Sequence, residues 1–115
     1  MHLYGTQQVN EQGHLTIGGV DTIELAKQYG TPLFVYDTAL IRKRARGFID
    51  TFEKLGVTAQ VAYASKAFAC VAVYQLAQQE NLSLDVVSGG ELFTAIKAGL
   101  PAERILFHGN NKSIA

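Results

Sequence analysis

The stretch "VAYASKAFACVAVYQLAQQENLSLDVVSGGEL", Val61 to Leu92, decides how this chain folds. It opens as a run of small and β-forming residues, passes into helical spacing, returns to an apolar run at "LSLDVVS" and starts a second helix at the glycines. Side chains alternate along a strand, so Ala62, Ala64 and Lys66 share one face while Val61, Tyr63 and Ser65 share the other. A lysine is rarely buried unless something pairs or reacts with it. Lys66 therefore ends a methyl-lined strand face either as a side chain reaching into solvent or as a reactive amine. A lysine sheltered from water is the amine that forms Schiff bases with carbonyl compounds.

Outward from this stretch the same texture repeats. The residues predict a strand at "LFVYD" from Leu33 and a helix in "TALIRKRARGFIDTFEKLG" that buries Ile41, Ala45, Phe48, Phe52 and Leu55. Strand "AQVAYASK", helix "CVAVYQLAQQEN", strand "LSLDVVS", helix "GGELFTAIKAG" and strand "RILFHG" follow. Lys66 to Ser88 is 22 residues and Ser88 to His108 is 20, the length of one βα unit. Strands apolar on both faces are parallel strands covered by helices. The fold class is α/β, in either a (β/α)8 barrel or an open doubly wound sheet. No glycine fingerprint for a dinucleotide and no Walker loop is present. Lys66, Ser88 and His108 each stand where a strand gives way to its loop, the rim that carries chemistry in barrels, although open sheets bind ligands there too.

Upstream, residues 1–32 read differently from 33–115. Short alternating segments between Gly5, Gly13, Gly18 and Gly19 predict strands and turns. Asp21 and Glu24 form a capping box for a short helix that ends at Gly30. Ten basic and ten acidic residues cancel, so no broad field points to nucleic acid or an anionic membrane. Arg42, Lys43, Arg44 and Arg46 read as a solvated helix face. A single cysteine, Cys70, fits a reducing cytoplasm, and no signal peptide or membrane-length apolar run is seen. His2 and His14 lack metal-ligand spacing and read as surface residues, so no metal is expected.

Four motifs in order and in register carry a resemblance. "GGVDTIELAKQYGTPLFVYD", "YASKAF", "LDVVSGGEL" and "HGNNKS" resemble the N-terminal part of the bacterial diaminopimelate decarboxylase family. These are pyridoxal-phosphate enzymes of the alanine-racemase-like barrel class, fold type III. The resemblance implies the first βα units of a TIM-type barrel at 33–115, preceded at 1–32 by a segment of a second, β-rich domain. It implies Lys66 as the residue that binds pyridoxal 5'-phosphate as an imine, and Asp85 as a carboxylate near the cofactor. It further implies meso-diaminopimelate as the substrate, decarboxylated to L-lysine, and a cytoplasmic homodimer.

The remaining motif residues read less sharply. Ser88 and Glu91 form a capping box that needs no ligand, and Asp85 also reads as a carboxylate bonding loop amides. His108 lines the rim as a cofactor-binding candidate, and Asn110 and Asn111 shape the turn after it. Two rival readings stay open: an ornithine or arginine decarboxylase or an amino-acid racemase of the same class, and a pyridoxal-phosphate protein that is not an enzyme. A (β/α)8 barrel needs about 250 residues, so the expectation is a piece of a longer decarboxylase. Alone, such a piece is expected to be inactive and to self-associate through its open edge or its uncovered apolar face.

Overall fold

Alternating residues between glycine turns form a meander at the start of the chain. Strands β1 (Gln8–Val9), β2 (Leu15–Ile17) and β3 (Val20–Asp21) pair antiparallel in the order β1-β2-β3, with Val9 opposite Leu15 and Ile17 opposite Val20. Asp21 then starts helix α1 (Thr22–Tyr29) by accepting a hydrogen bond from the Ile23 amide at 2.8 Å. Glu24 does not close the expected capping box. Its carboxylate lies 2.7 Å from the Lys27 ammonium one turn on, a partner of opposite charge that outbids a backbone amide. The helix stops at Gly30, whose φ of 81° only glycine adopts freely.

His14 is not a plain surface residue. Its Nδ1 lies 2.8 Å from Asp21 Oδ2, which also accepts from Asn10 Nδ2 at 2.9 Å. The His14 bond, with help from Ile23 and Asn10, holds the Asp21 carboxyl below its ordinary range. His2 is exposed, with its ring edge-on to Tyr4.

The computed structural model describes residues 2–110, 112 and 113. The chain divides into two units, residues 1–44 and 45–115, and helix α2 (Thr38–Lys54) gives its first turns to one and the rest to the other. In the first unit, Asp37 joins the N-terminal arm to the start of α2. Its Oδ1 accepts from the Leu40 amide at 3.0 Å, while Oδ2 accepts from the Thr6 amide at 2.9 Å and the Thr6 hydroxyl at 2.8 Å. Gly5 makes that approach possible: at φ 58°, a Cβ there would sit 2.5 Å from Asp37 Oδ2 and 2.8 Å from Leu40 Cδ2.

The second unit is a parallel sheet with helices on one face. Strands β4 (Ala62–Ala64), β5 (Ser83–Val86) and β6 (Ile105–Phe107) pair in the order β4-β5-β6. Helices α3 (Val71–Gln79) and α4 (Gly89–Lys97) make the connections. Leu84 and Val86 of β5 are buried with Tyr74 and Ala77 of α3, Ala95 of α4 and Ala45 of α2. Tyr63 and Ile105, in register with Leu84 on the same face, pack against this cluster.

Three further expectations are corrected. Residues 33–37 form no strand: no ladder partner stands beside them among the described residues, and Phe34 is 88% exposed. Helix α2 buries only part of the stripe expected, with Ala45 in the core as expected and Ile49 in place of the aromatic positions. Ala45 and Ile49, one turn apart, meet the core, whereas Phe48 and Leu55 are 61% and 70% exposed. The small Ala45 side chain lets the helix come close, and Phe48 and Leu55, on one flank of the Ala45–Ile49 line, stay outside. Lastly, Arg46 is not simply solvated, because its Nε lies 2.7 Å from a buried Glu80 carboxylate, although Lys43 and Arg44 are exposed. No described helix is long and apolar enough to cross a membrane.

Two outcomes follow from this packing. Leu84→Ala removes a fully buried side chain at the centre of the sheet and lowers the unfolding free energy by about 3 kcal/mol in urea denaturation; a loss under about 1 kcal/mol would place the core elsewhere. The amides of Thr6 and Leu40 and the Thr6 hydroxyl hold the Asp37 carboxyl below its ordinary value of 3.8. A depressed carboxylate stabilises the fold above its unfolded value and loses that contribution as pH falls through the folded one. Asp37→Asn therefore flattens the dependence of thermal stability on pH below 3.8, and an unchanged acid limb would contradict the role given to this clasp.

Candidate functional site

Parallel pairing in register sets Ala64, Asp85 and Leu106 in one row across the second sheet. Their shared face is the one the helices leave open, where Ala62, Ala64 and Leu106 are exposed and Asp85 half-buried. Methyl groups keep the β4 part of this face low.

Strand β4 stops at Ala64, and a 3-10 turn (Ser65–Ala67) follows at once. Lys66 is therefore in the turn and not in a buried strand, which differs from the expected strand through residue 66. The alternation survives the change of backbone: Ala62, Ala64 and Lys66 are exposed, while Ser65 is fully buried. Among the described residues no hydrogen bond or ion pair engages the Lys66 ammonium.

Asp85 and His108, chosen separately from the sequence, are in direct contact. The His108 Nδ1 makes a short hydrogen bond to Asp85 Oδ1, the ring nitrogen donating when it carries the proton. Ladder continuation brings them together, since the His108 amide donates to the Val86 carbonyl at 3.1 Å one residue past β6. Asn110 is exposed beyond this point, and Asn111 lies outside the described residues.

Ser88 and Glu91 divide the labour differently from a capping box. Ser88 Oγ accepts from the Glu91 amide at 3.2 Å and caps α4. The Glu91 carboxylate passes over Ser88: one oxygen, Oε2, accepts from the Val87 amide at 2.8 Å and from Ser65 Oγ at 2.7 Å. Ser65 Oγ also lies 2.7 Å from the Asp85 carbonyl. The motif showed only the local half of this arrangement, because a contact spanning 26 residues leaves no trace in helical or strand periodicity.

Tyr74 stands behind this group. Its hydroxyl is buried beside Ser65 but misses hydrogen-bonding geometry, and it has no partner among the described residues. Burial pushes its pKa up; the neighbouring Ser65 pulls the other way, and the Glu91 charge adds to the rise.

An exposed amine without a partner among the described residues, a low alanine face, and a carboxylate–imidazole pair beside it suit an aldehyde-bearing ring. Comparison with known proteins points the same way. Residues 38–115 match the family described as pyridoxal-dependent decarboxylase, pyridoxal binding domain. A diaminopimelate decarboxylase of Bacillus methanolicus is 70% identical over the whole chain, which covers 27% of that relative. The enzyme of that name from Bacillus subtilis is 66% identical over 98% of the chain, covering 26% of its own length. The chain thus spans about a quarter of the curated relatives it matches. Among solved structures, a protein of Aquifex aeolicus superposes with a TM-score of 0.85 at 37% identity, over 94% of this chain and 26% of that one. A diaminopimelate decarboxylase from M. jannaschii in complex with L-lysine superposes at 0.78 and 38% identity, over the same shares. With more than half of its residues matching the family, the chain belongs to the pyridoxal-dependent decarboxylases and carries residues of their pyridoxal-binding domain.

Proposed function

We propose that this chain forms part of the cofactor site of a diaminopimelate decarboxylase, with Lys66 as the residue to which pyridoxal phosphate attaches. The observation that carries this reading is the placement of Lys66, exposed in the turn after β4 on the face the helices leave open. The substrate would be meso-diaminopimelate and the products L-lysine and carbon dioxide, a reading that the high identity to relatives named diaminopimelate decarboxylase supports. The parallel sheet would be the first part of a (β/α)8 barrel of fold type III, with residues 1–32 belonging to a second, β-rich domain, in a cytoplasmic homodimer.

When bound, pyridoxal phosphate supplies an aldehyde for covalent attachment to an amine and a conjugated ring that takes up the electron pair left by a departing carboxylate. The residues of this chain do the rest. Lys66 Nζ would offer the attaching amine and, when it is free, would hold or move a proton at that atom. Asp85 fixes the His108 ring by its short hydrogen bond and places a negative charge on the open face. Ala62 and Ala64 leave that face without bulk that would obstruct a planar group.

Two experiments test the assignment. After incubation with pyridoxal phosphate and borohydride reduction, mass-spectrometric mapping is expected to find the adduct on Lys66 and to lose it in Lys66→Ala. An adduct on Lys27, Lys43, Lys54, Lys97 or Lys112 in its place would overturn the assignment. Asp85→Ala releases the His108 ring and weakens retention of pyridoxal phosphate in dialysis by about tenfold, the scale of one charged hydrogen bond. Retention equal to that of the unaltered protein would remove both residues from the site.

A further inference from the structure

We infer that Glu91 is a positioning residue for Lys66, acting through Ser65: one carboxylate oxygen ties the turn that carries the lysine to the loop that opens α4. The inference rests on the assignment of Lys66 given above. A three-residue 3-10 turn has little stability of its own, and this one has no side-chain cap at its start. Lys66 and Ala67 are exposed, so the buried Ser65 is the part of the turn fixed from within. On its far side the Tyr63 hydroxyl donates to the Phe68 carbonyl at 3.1 Å.

The hydrogen-bond arithmetic gives Glu91 its place. Ser65 Oγ has one proton and two acceptors at 2.7 Å, the Asp85 carbonyl and Glu91 Oε2, so it serves one at a time. The Asp85 carbonyl lies on the adjacent strand and moves with the ladder. Glu91 Oε2 is also held at 2.8 Å by the Val87 amide, so it brings in an independent anchor, the junction between β5 and α4. Through that oxygen, the level of the Lys66 turn is set against the loop that follows Asp85. Both bonds fall on the same oxygen atom, so the requirement is for an acceptor at one point and not for a charge. A glutamine carbonyl oxygen can accept both.

That distinction makes the inference testable by the rate at which Lys66 takes up pyridoxal phosphate, followed by borohydride trapping and peptide mapping in the full protein. Glu91→Ala and Ser65→Ala are expected to slow attachment at Lys66 by about tenfold, as displacement of a reacting group does. Adducts at the exposed Lys43 stay unchanged, and melting remains cooperative. Glu91→Gln stays within about twofold of the unaltered protein, since it keeps the acceptor. Attachment in Glu91→Ala at the unaltered rate would overturn the inference. So would a Glu91→Gln as slow as Glu91→Ala, because charge and not position would then be at work. If Glu91→Ala does not fold, Ser65→Ala decides by the same rates. An unaltered protein with no Lys66 adduct would instead overturn the assignment of the lysine, and the inference with it.

Discussion

The ladder between β5 and its two neighbours fixes the level at which every strand of the second unit ends. Parallel strands have evenly spaced, slanted hydrogen bonds and all point the same way, so their C-terminal ends share one edge. Ala64, Asp85 and Leu106 stand in a row because of it. The turn with Lys66, the loop with Ser88 and the residue His108 then follow within a few positions of that row. The ladder also sorts the side chains, giving Leu84 and Val86 to the helices and Asp85 to the open face. Core and site are thus two outcomes of one registration, and a slip of one residue would exchange them.

Much of this was legible before the structure. The helices from Thr38, Val71 and Gly89, the strands within "AQVAYASK", "LSLDVVS" and "RILFHG", and the in-and-out pattern of Ser65 and Lys66 all rest on local periodicity. Periodicity says which residues share a face, but not whether that face finds a partner. Residues 33–37 have the composition of a strand and lack a ladder, and of the expected α2 stripe Ala45 reaches the core while Ile49 takes the place of Phe48 and Leu55. Of the candidate site, the positions of Lys66, Ser88 and His108 at strand ends were readable, and the contact between Asp85 and His108 was not. The Asp85–His108 pair depends on β5 and β6 being neighbours, a fact of topology and not of either segment.

The charged and polar residues show the same limit from another side. Glu24, Glu91 and Arg46 each had a sound local reading, and each found a better-placed partner: Lys27, then Val87 with Ser65, then Glu80. Short-range motifs describe what a side chain can do when nothing else is near. A carboxylate half-sheltered from water takes the donors that burial has left without water, wherever the chain brings them from.

The clasp made by Asp37 has a consequence for how the first unit breathes. One oxygen serves the arm at Thr6 and the other serves the first turn of α2 at Leu40, so a single side-chain rotation releases both. Fraying of the arm and unwinding of the helix start are then one opening event and not two. In amide hydrogen exchange such a unit has a common opening free energy: the Thr6 and Leu40 amides, remote in sequence, would share one degree of protection.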